Sequence, residues 1–117
     1  NKARLQLEDG VRVGLYTVFN GGDSIYVGAK SLISGFVYLQ TSMHGFKDRS
    51  LAVQSQGYEH ASIHLAKDCW LGTHVVVLPG VKLGEGVVVG SNAVVNKSAE
   101  DFQVIGGIPA KVLKERT

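Results

Sequence analysis

Aliphatic residues recur at every sixth position along most of this chain. From residue 65 it divides into LAKDCW, LGTHVV, VLPGVK, LGEGVV, VGSNAV and VNKSAE, opened by Leu65, Leu71, Val77, Leu83, Val89 and Val95. The fifth position holds Cys69, Val75, Val81, Val87, Ala93 and Ala99, and the second is most often Gly or Ala. A period of six fits neither the 3.6-residue repeat of a helix nor the unbroken alternation of a long strand. It fits a short strand and a corner, repeated. Three blocks close one triangular coil, and stacked coils pair strand on strand about 4.8 Å apart, so that each side of the prism is a parallel sheet. The first residue of each block then points inward, and glycine at the second lets the backbone turn where a Cβ would crowd it.

The earlier half repeats more loosely as LEDGVR, VGLYTV, FNGGDS and, after two further residues, VGAKSL, ISGFVY, LQTSMH. Its inward set is Leu7, Val13, Phe19, Val27, Ile33 and Leu39. Three core columns are predicted: Leu7/Val27/Leu65/Leu83, Val13/Ile33/Leu71/Val89 and Phe19/Leu39/Val77/Val95. Between Gly45 and His64 the pattern is lost, which predicts a protruding loop over about 45–64, with the coil intact up to His44 and Met43 filling a fifth position. The expected fold is all-β, about four coils in one domain over residues 1–117. The segment after Ala99 is expected to close the end of the prism, with AKVLKER as a short C-terminal helix.

Composition narrows the function more than the fold. Apolar residues make up 44% and charged residues 19%, a globular balance. The formal charge is +2 and no basic run is interleaved with aromatics, so nucleic acid is not an expected partner. A single cysteine, Cys69, excludes an internal disulfide, and no Cys/His cluster has zinc spacing. With no apolar run of about 18 residues and no signal-peptide pattern, the expectation is a soluble, cytoplasmic chain without membrane insertion. The chain starts at Asn1 rather than at a methionine, which leaves room for an upstream segment.

The run DCWLGTHVVVLPGVKLGEGVVVGSNAVVNK, followed by VIGGIPAKVLKER, resembles the hexapeptide-repeat acyltransferases, in particular the sugar O-acetyltransferase branch that includes maltose and galactoside acetyltransferases. The resemblance extends over most of the chain from about Val11 onward. It implies a left-handed parallel β-helix, since most parallel crossovers are right-handed and the residues alone do not reveal the exception. It also implies a homotrimer with active sites between adjacent prisms. The implied reaction is acetyl transfer from acetyl-CoA, as co-substrate, to a hydroxyl of a sugar or saccharide-like acceptor.

Candidate chemistry centres on His44. The segment TSMH, where the repeat breaks, matches the Thr-x-x-His in which the family carries its catalytic base. A neutral imidazole suits the task, because an alcohol attacks a thioester at neutral pH only if its proton is removed as the bond forms. The resemblance maps the CoA contacts onto Thr73, Ser91, Asn96, Lys97, Lys111 and Lys114, and the three lysines suit phosphate groups. It maps acceptor contacts onto Asn20 and Asp23 in FNGGDS, which as turn residues also have an ordinary structural explanation. Direct transfer needs no acyl-enzyme, and Cys69 reads as a small core residue.

His60 and His64 form an HxxxH that invites a metal reading of the kind found in hexapeptide-repeat carbonic anhydrases. Four-residue spacing unites two ligands only on a helix, and this segment is expected to be irregular, so no metal is expected. His74 reads as an outward-facing coil residue. The rival functions are N-acetyl transfer to an amino sugar, a metal-dependent hydratase and a non-catalytic trimeric scaffold.

Overall fold

A computed structural model describes residues 2–117. The short strands stack into three sheets that form the sides of an elongated prism, 50 × 30 × 23 Å. The first sheet orders β1 (Leu5–Leu7), β4 (Ile25–Val27), β9 (Ile63–Leu65) and β12 (Lys82–Leu83) side by side. In the second, β2 (Arg12–Val13), β5 (Leu32–Ile33), β10 (Trp70–Leu71), β13 (Val88–Val89) and β15 (Gln103–Gly106) follow in turn, with β16 (Lys111–Glu115) at the edge. The third holds β3 (Val18–Phe19), β6 (Tyr38–Leu39), β11 (Val76–Val77) and β14 (Val94–Val95). All pairings within these sheets are parallel except β15 with β16.

The register reproduces the three columns read from the sequence. Leu7 lies opposite Val27, Val27 opposite Leu65, and Leu65 opposite Leu83. Val13, Ile33, Leu71 and Val89 form the second column, and Phe19, Leu39, Val77 and Val95 the third. From Val27 onward these residues are buried, as are the fifth-position residues Cys69, Val75, Val81, Val87 and Ala93. Leu7 and Val13 are 42% and 40% exposed, because β1 and β2 are end rungs, covered on one side only.

The corners use glycine differently from expectation. The left-handed backbone sits at the fourth position of the block, at Tyr16, Lys30, Phe36, Asp68, His74 and Asn92 as well as at Gly10, Gly80 and Gly86, with φ between 61° and 84°. Second-position glycines serve close stacking instead. A Cβ on Gly28 would meet the backbone of Ala66 and Lys67 in the next coil, and one on Gly72 would lie 2.7 Å from the Ser91 nitrogen.

Two predicted elements differ. The C-terminal segment is strand, not helix: β16 returns antiparallel along β15, with Ile105 opposite Val112. Seven residues make a marginal isolated helix, whereas the open edge of β15 offers unpaired N–H and C=O groups to a returning chain. The excursion also lies earlier in the chain than 45–64. The coil resumes at Ile63, buried opposite Ile25, and the chain leaves the prism at Thr41, three residues before His44. Met43 is therefore 37% exposed and fills no fifth position in the core.

Candidate active site

Three corners run the length of the prism, and the chain departs from the one joining the third sheet to the first. Asn20, Gln40, Leu78 and Asn96 follow the inward column there, with each of the first three bonded to the next rung through its N–H. After Gln40 the chain swings outward into β7 (Ser42–His44), which pairs antiparallel with β8 (Tyr58–His60). Thr41 anchors this ribbon and is fully buried. Its hydroxyl donates to the Asn20 carbonyl at 2.6 Å and accepts from the Asp23 N–H at 3.0 Å. Its own N–H donates to Asn20 Oδ1, and its carbonyl accepts from Ala61 N–H.

Asn20 and Asp23 thus act as structural partners of the ribbon's root. Asp23 also accepts from Ser24 N–H at 2.6 Å through Oδ1.

Along the ribbon Ser42 lies opposite His60, Met43 opposite Glu59 and His44 opposite Tyr58. Alternation puts Ser42, His44, Tyr58 and His60 on one face. The His44 ring packs on Tyr58 with centroids 4.3 Å apart, and Tyr58 lies near-parallel to His60 at 6.0 Å. His60 Nδ1 is hydrogen-bonded to Ser42 Oγ at 2.8 Å. Directly beneath, Gly22 leaves the space this pair occupies: a Cβ there would overlap Ser42 Oγ and come within 2.6 Å of His60 Nδ1.

His44, Tyr58 and His60 are exposed. The tip, residues 45–57, is braced by the Gln56 side chain, which donates to the Asp48 and Leu51 carbonyls. Ser50 donates to the Asp48 carboxylate from both N–H and hydroxyl, holding the carboxyl below its usual range.

The expected CoA contacts separate into groups. Asn96, Lys97 and Lys111 line one cavity of about 350 Å³ together with Pro109 and Ala110. Ala110 N–H donates to the Val94 carbonyl, which carries the turn before β16 across the end of the third sheet and delivers Lys111 there. Asn96 is two rungs from Gln40 on the ribbon's corner, about 10 Å along the prism at the usual strand spacing.

Thr73 and Ser91 stand at a different corner, joining the second sheet to the third. Thr73 Oγ1 donates to the Gly35 carbonyl at 2.9 Å and lies 2.9 Å from His74 Nδ1, so Nδ1 carries the hydrogen of that contact. His74 is exposed and stacks on Phe36, which stacks on Tyr16. Lys114 lies opposite Val104 on β16, outside the cavity.

His60 and His64 lie on strands, not in irregular chain. They serve separate contacts, His64 stacking on Tyr26 at 4.6 Å. Among the described residues no group of three or more His, Cys, Asp or Glu side chains could hold a metal ion. Cys69 is 1% exposed, and burial pushes its thiol up to about 11.

Residues 62–97 match the family model described as bacterial transferase hexapeptide (six repeats). A Mycobacterium tuberculosis protein named as an acetyltransferase is 33% identical over 116 residues, covering 99% of this chain and 39% of that protein. The Escherichia coli protein WbbJ, named for O-acetyl transfer in lipopolysaccharide biosynthesis, is 34% identical over 114 residues, 92% of this chain and 58% of its own. Residues 62–97 thus carry the hexapeptide repeat of these bacterial transferases. A solved hexapeptide-repeat acetyltransferase of Vibrio cholerae, in complex with acetyl coenzyme A, superposes with a TM-score of 0.80 at 28% identity, over 95% of this chain and 64% of that one. The chain therefore spans about two fifths to two thirds of the length of these proteins. No helix among the described residues is long and apolar enough to cross a membrane.

In this hexapeptide-repeat chain the residues missed by sequence reasoning are Ser42, Tyr58 and Gly22, together with the anchoring role of Thr41, which the sequence offered only as part of TSMH. Their one signal was the failure of the repeat itself. The fourth-position corners carried a clearer one, since Gly10, Asp68, Gly80, Gly86 and Asn92 are types that tolerate left-handed backbone.

Proposed function

We propose that this chain is the acyl-transfer domain of an acetyl-CoA-dependent O-acetyltransferase acting on a hydroxyl of a sugar or saccharide-like acceptor, with His44 as general base. The coil is left-handed and the working unit a homotrimer. The observation that carries the reading is the single corner shared by two kinds of group. An exposed histidine stands on a ribbon anchored by Thr41, and two rungs away Asn96, Lys97 and Lys111 line a cavity with cations suited to phosphates. The Vibrio cholerae relative with acetyl coenzyme A and the naming of WbbJ support the donor and the acceptor class.

Acetyl-CoA supplies an acyl group activated as a thioester. Lys97 and Lys111 hold its phosphates by charge, with Asn96 beside them. His44 takes the proton of the acceptor hydroxyl as the new ester bond forms and returns it to the departing sulfur. Cys69 stays out of the chemistry, because its buried thiol is neutral at physiological pH. Of the remaining expected contacts, Lys114 lies on β16 and Thr73 and Ser91 at the corner joining the second sheet to the third, which a homotrimer reconciles by presenting that corner of one prism to the ribbon's corner of the next.

The test is a screen of saccharides and amino sugars with acetyl-CoA and detection of released thiol. Ester formation on a sugar hydroxyl is expected. Transfer to amines alone would replace this reading with N-acetylation, and no transfer and no acetyl-CoA binding at millimolar ligand would leave the scaffold.

A further inference from the structure

The geometry points to His60 as the acceptor-binding residue that makes this site select ring-shaped polyols over simple alcohols; this rests on the acetyl-transfer reading and deepens it. His44 and His60 are diagonal neighbours on one face of the ribbon, since His44 opposes Tyr58 and His60 lies two residues beyond Tyr58. Diagonal positions on an antiparallel pair stand about 7–8 Å apart. That distance suits two side chains reaching opposite edges of one pyranose. Tyr58, 61% exposed, stands between the two rings, 4.3 Å from His44 and 6.0 Å from His60, so a pyranose would lie across the exposed edges of all three.

His60 is built into this position. Ser42 engages Nδ1 at 2.8 Å, which settles the ring's orientation and leaves Nε2 to face a ligand. Gly22 permits the arrangement, because any side chain there would displace both Ser42 Oγ and His60. The turn carrying Gly22 is itself tied to the ribbon root through Asn20, Asp23 and Thr41. One bonded unit therefore positions His60 relative to His44. His44 takes the proton from the reacting hydroxyl while His60 Nε2 hydrogen-bonds a second oxygen of the same ring.

The test uses His60→Phe, which keeps a ring and removes the nitrogens, with methyl β-D-galactopyranoside, methyl α-D-glucopyranoside and maltose as ring probes and 1-propanol as a single-hydroxyl probe. The expected result is a rise of about tenfold or more in KM for the ring acceptor that wild type uses best. The KM for acetyl-CoA and the rate of transfer to 1-propanol should stay within twofold. Ser42→Ala and Gly22→Ala should show the same split to a smaller degree. Unchanged ring-acceptor KM in His60→Phe, or equal loss with rings and 1-propanol, overturns the assignment while leaving acetyl transfer standing. Wild-type protein that acetylates none of the probes overturns the parent reading and this one with it.

Discussion

Residues 65–95 and residues 41–62 follow opposite rules. In the first stretch every strand residue has a rung on each side or closes against one: Leu71 lies between Ile33 and Val89 and is fully buried. In the second, strands pair only with each other, and Met43, His44, Tyr58, Glu59 and His60 are all exposed. The repeat makes a rigid post whose side chains are used up in packing. The interruption leaves its side chains facing solvent and borrows its rigidity from the post at a single buried residue, Thr41.

Breaking the post should cost more than trimming the ribbon. Leu71→Ala is expected to lose about 2–5 kcal/mol of stability in chemical denaturation, while Met43→Ala changes it by less than about 0.5 kcal/mol. Gly28→Ala pushes a Cβ onto the backbone of the next coil and should cost about 1–3 kcal/mol, against no measurable loss for Gly21→Ala, where a Cβ meets nothing within 4 Å. Thr41→Val leaves Asp23 N–H without its acceptor and should lower stability by about 1–3 kcal/mol. Its distinguishing effect is faster proteolysis and amide exchange of residues 42–60 with the post unaffected.

A further effect, confined to alkaline solution, concerns pH. Burial raises the Cys69 thiol from 9.0 to about 11, so the folded state keeps a proton that the unfolded chain releases. That contribution is intact below pH 9 and is lost as pH rises toward 11. Cys69→Ala should flatten the stability profile over this window, and the wild-type thiol should resist disulfide reagents at pH 8 until the protein unfolds.

What the sequence disclosed divides along the same line. The columns from Val27 to Val95 were legible because one coil's inward positions face the next, so a local period dictates long-range register. The role of second-position glycine was only half legible: crowding was right, but its source is the adjacent coil rather than the turn. β16 was hidden because KVLKE satisfies a helix about as well as a strand, and the deciding factor is the open edge of β15. Within the candidate site, TSMH singled out His44 as the expected base. Thr41 and the Ser42–His60 bond could not be read, since they join residues up to 21 positions apart with no period between them.

The central claim is that the ribbon's exposed histidine performs the proton transfer while the post holds the donor. Its most direct test is the rate of thiol release from acetyl-CoA by His44→Ala, with the best acceptor from the screen, alongside acetyl-CoA binding by calorimetry. A fall of about 10²–10⁴-fold in kcat with donor binding within twofold of wild type is predicted. Transfer at the wild-type rate would contradict the account.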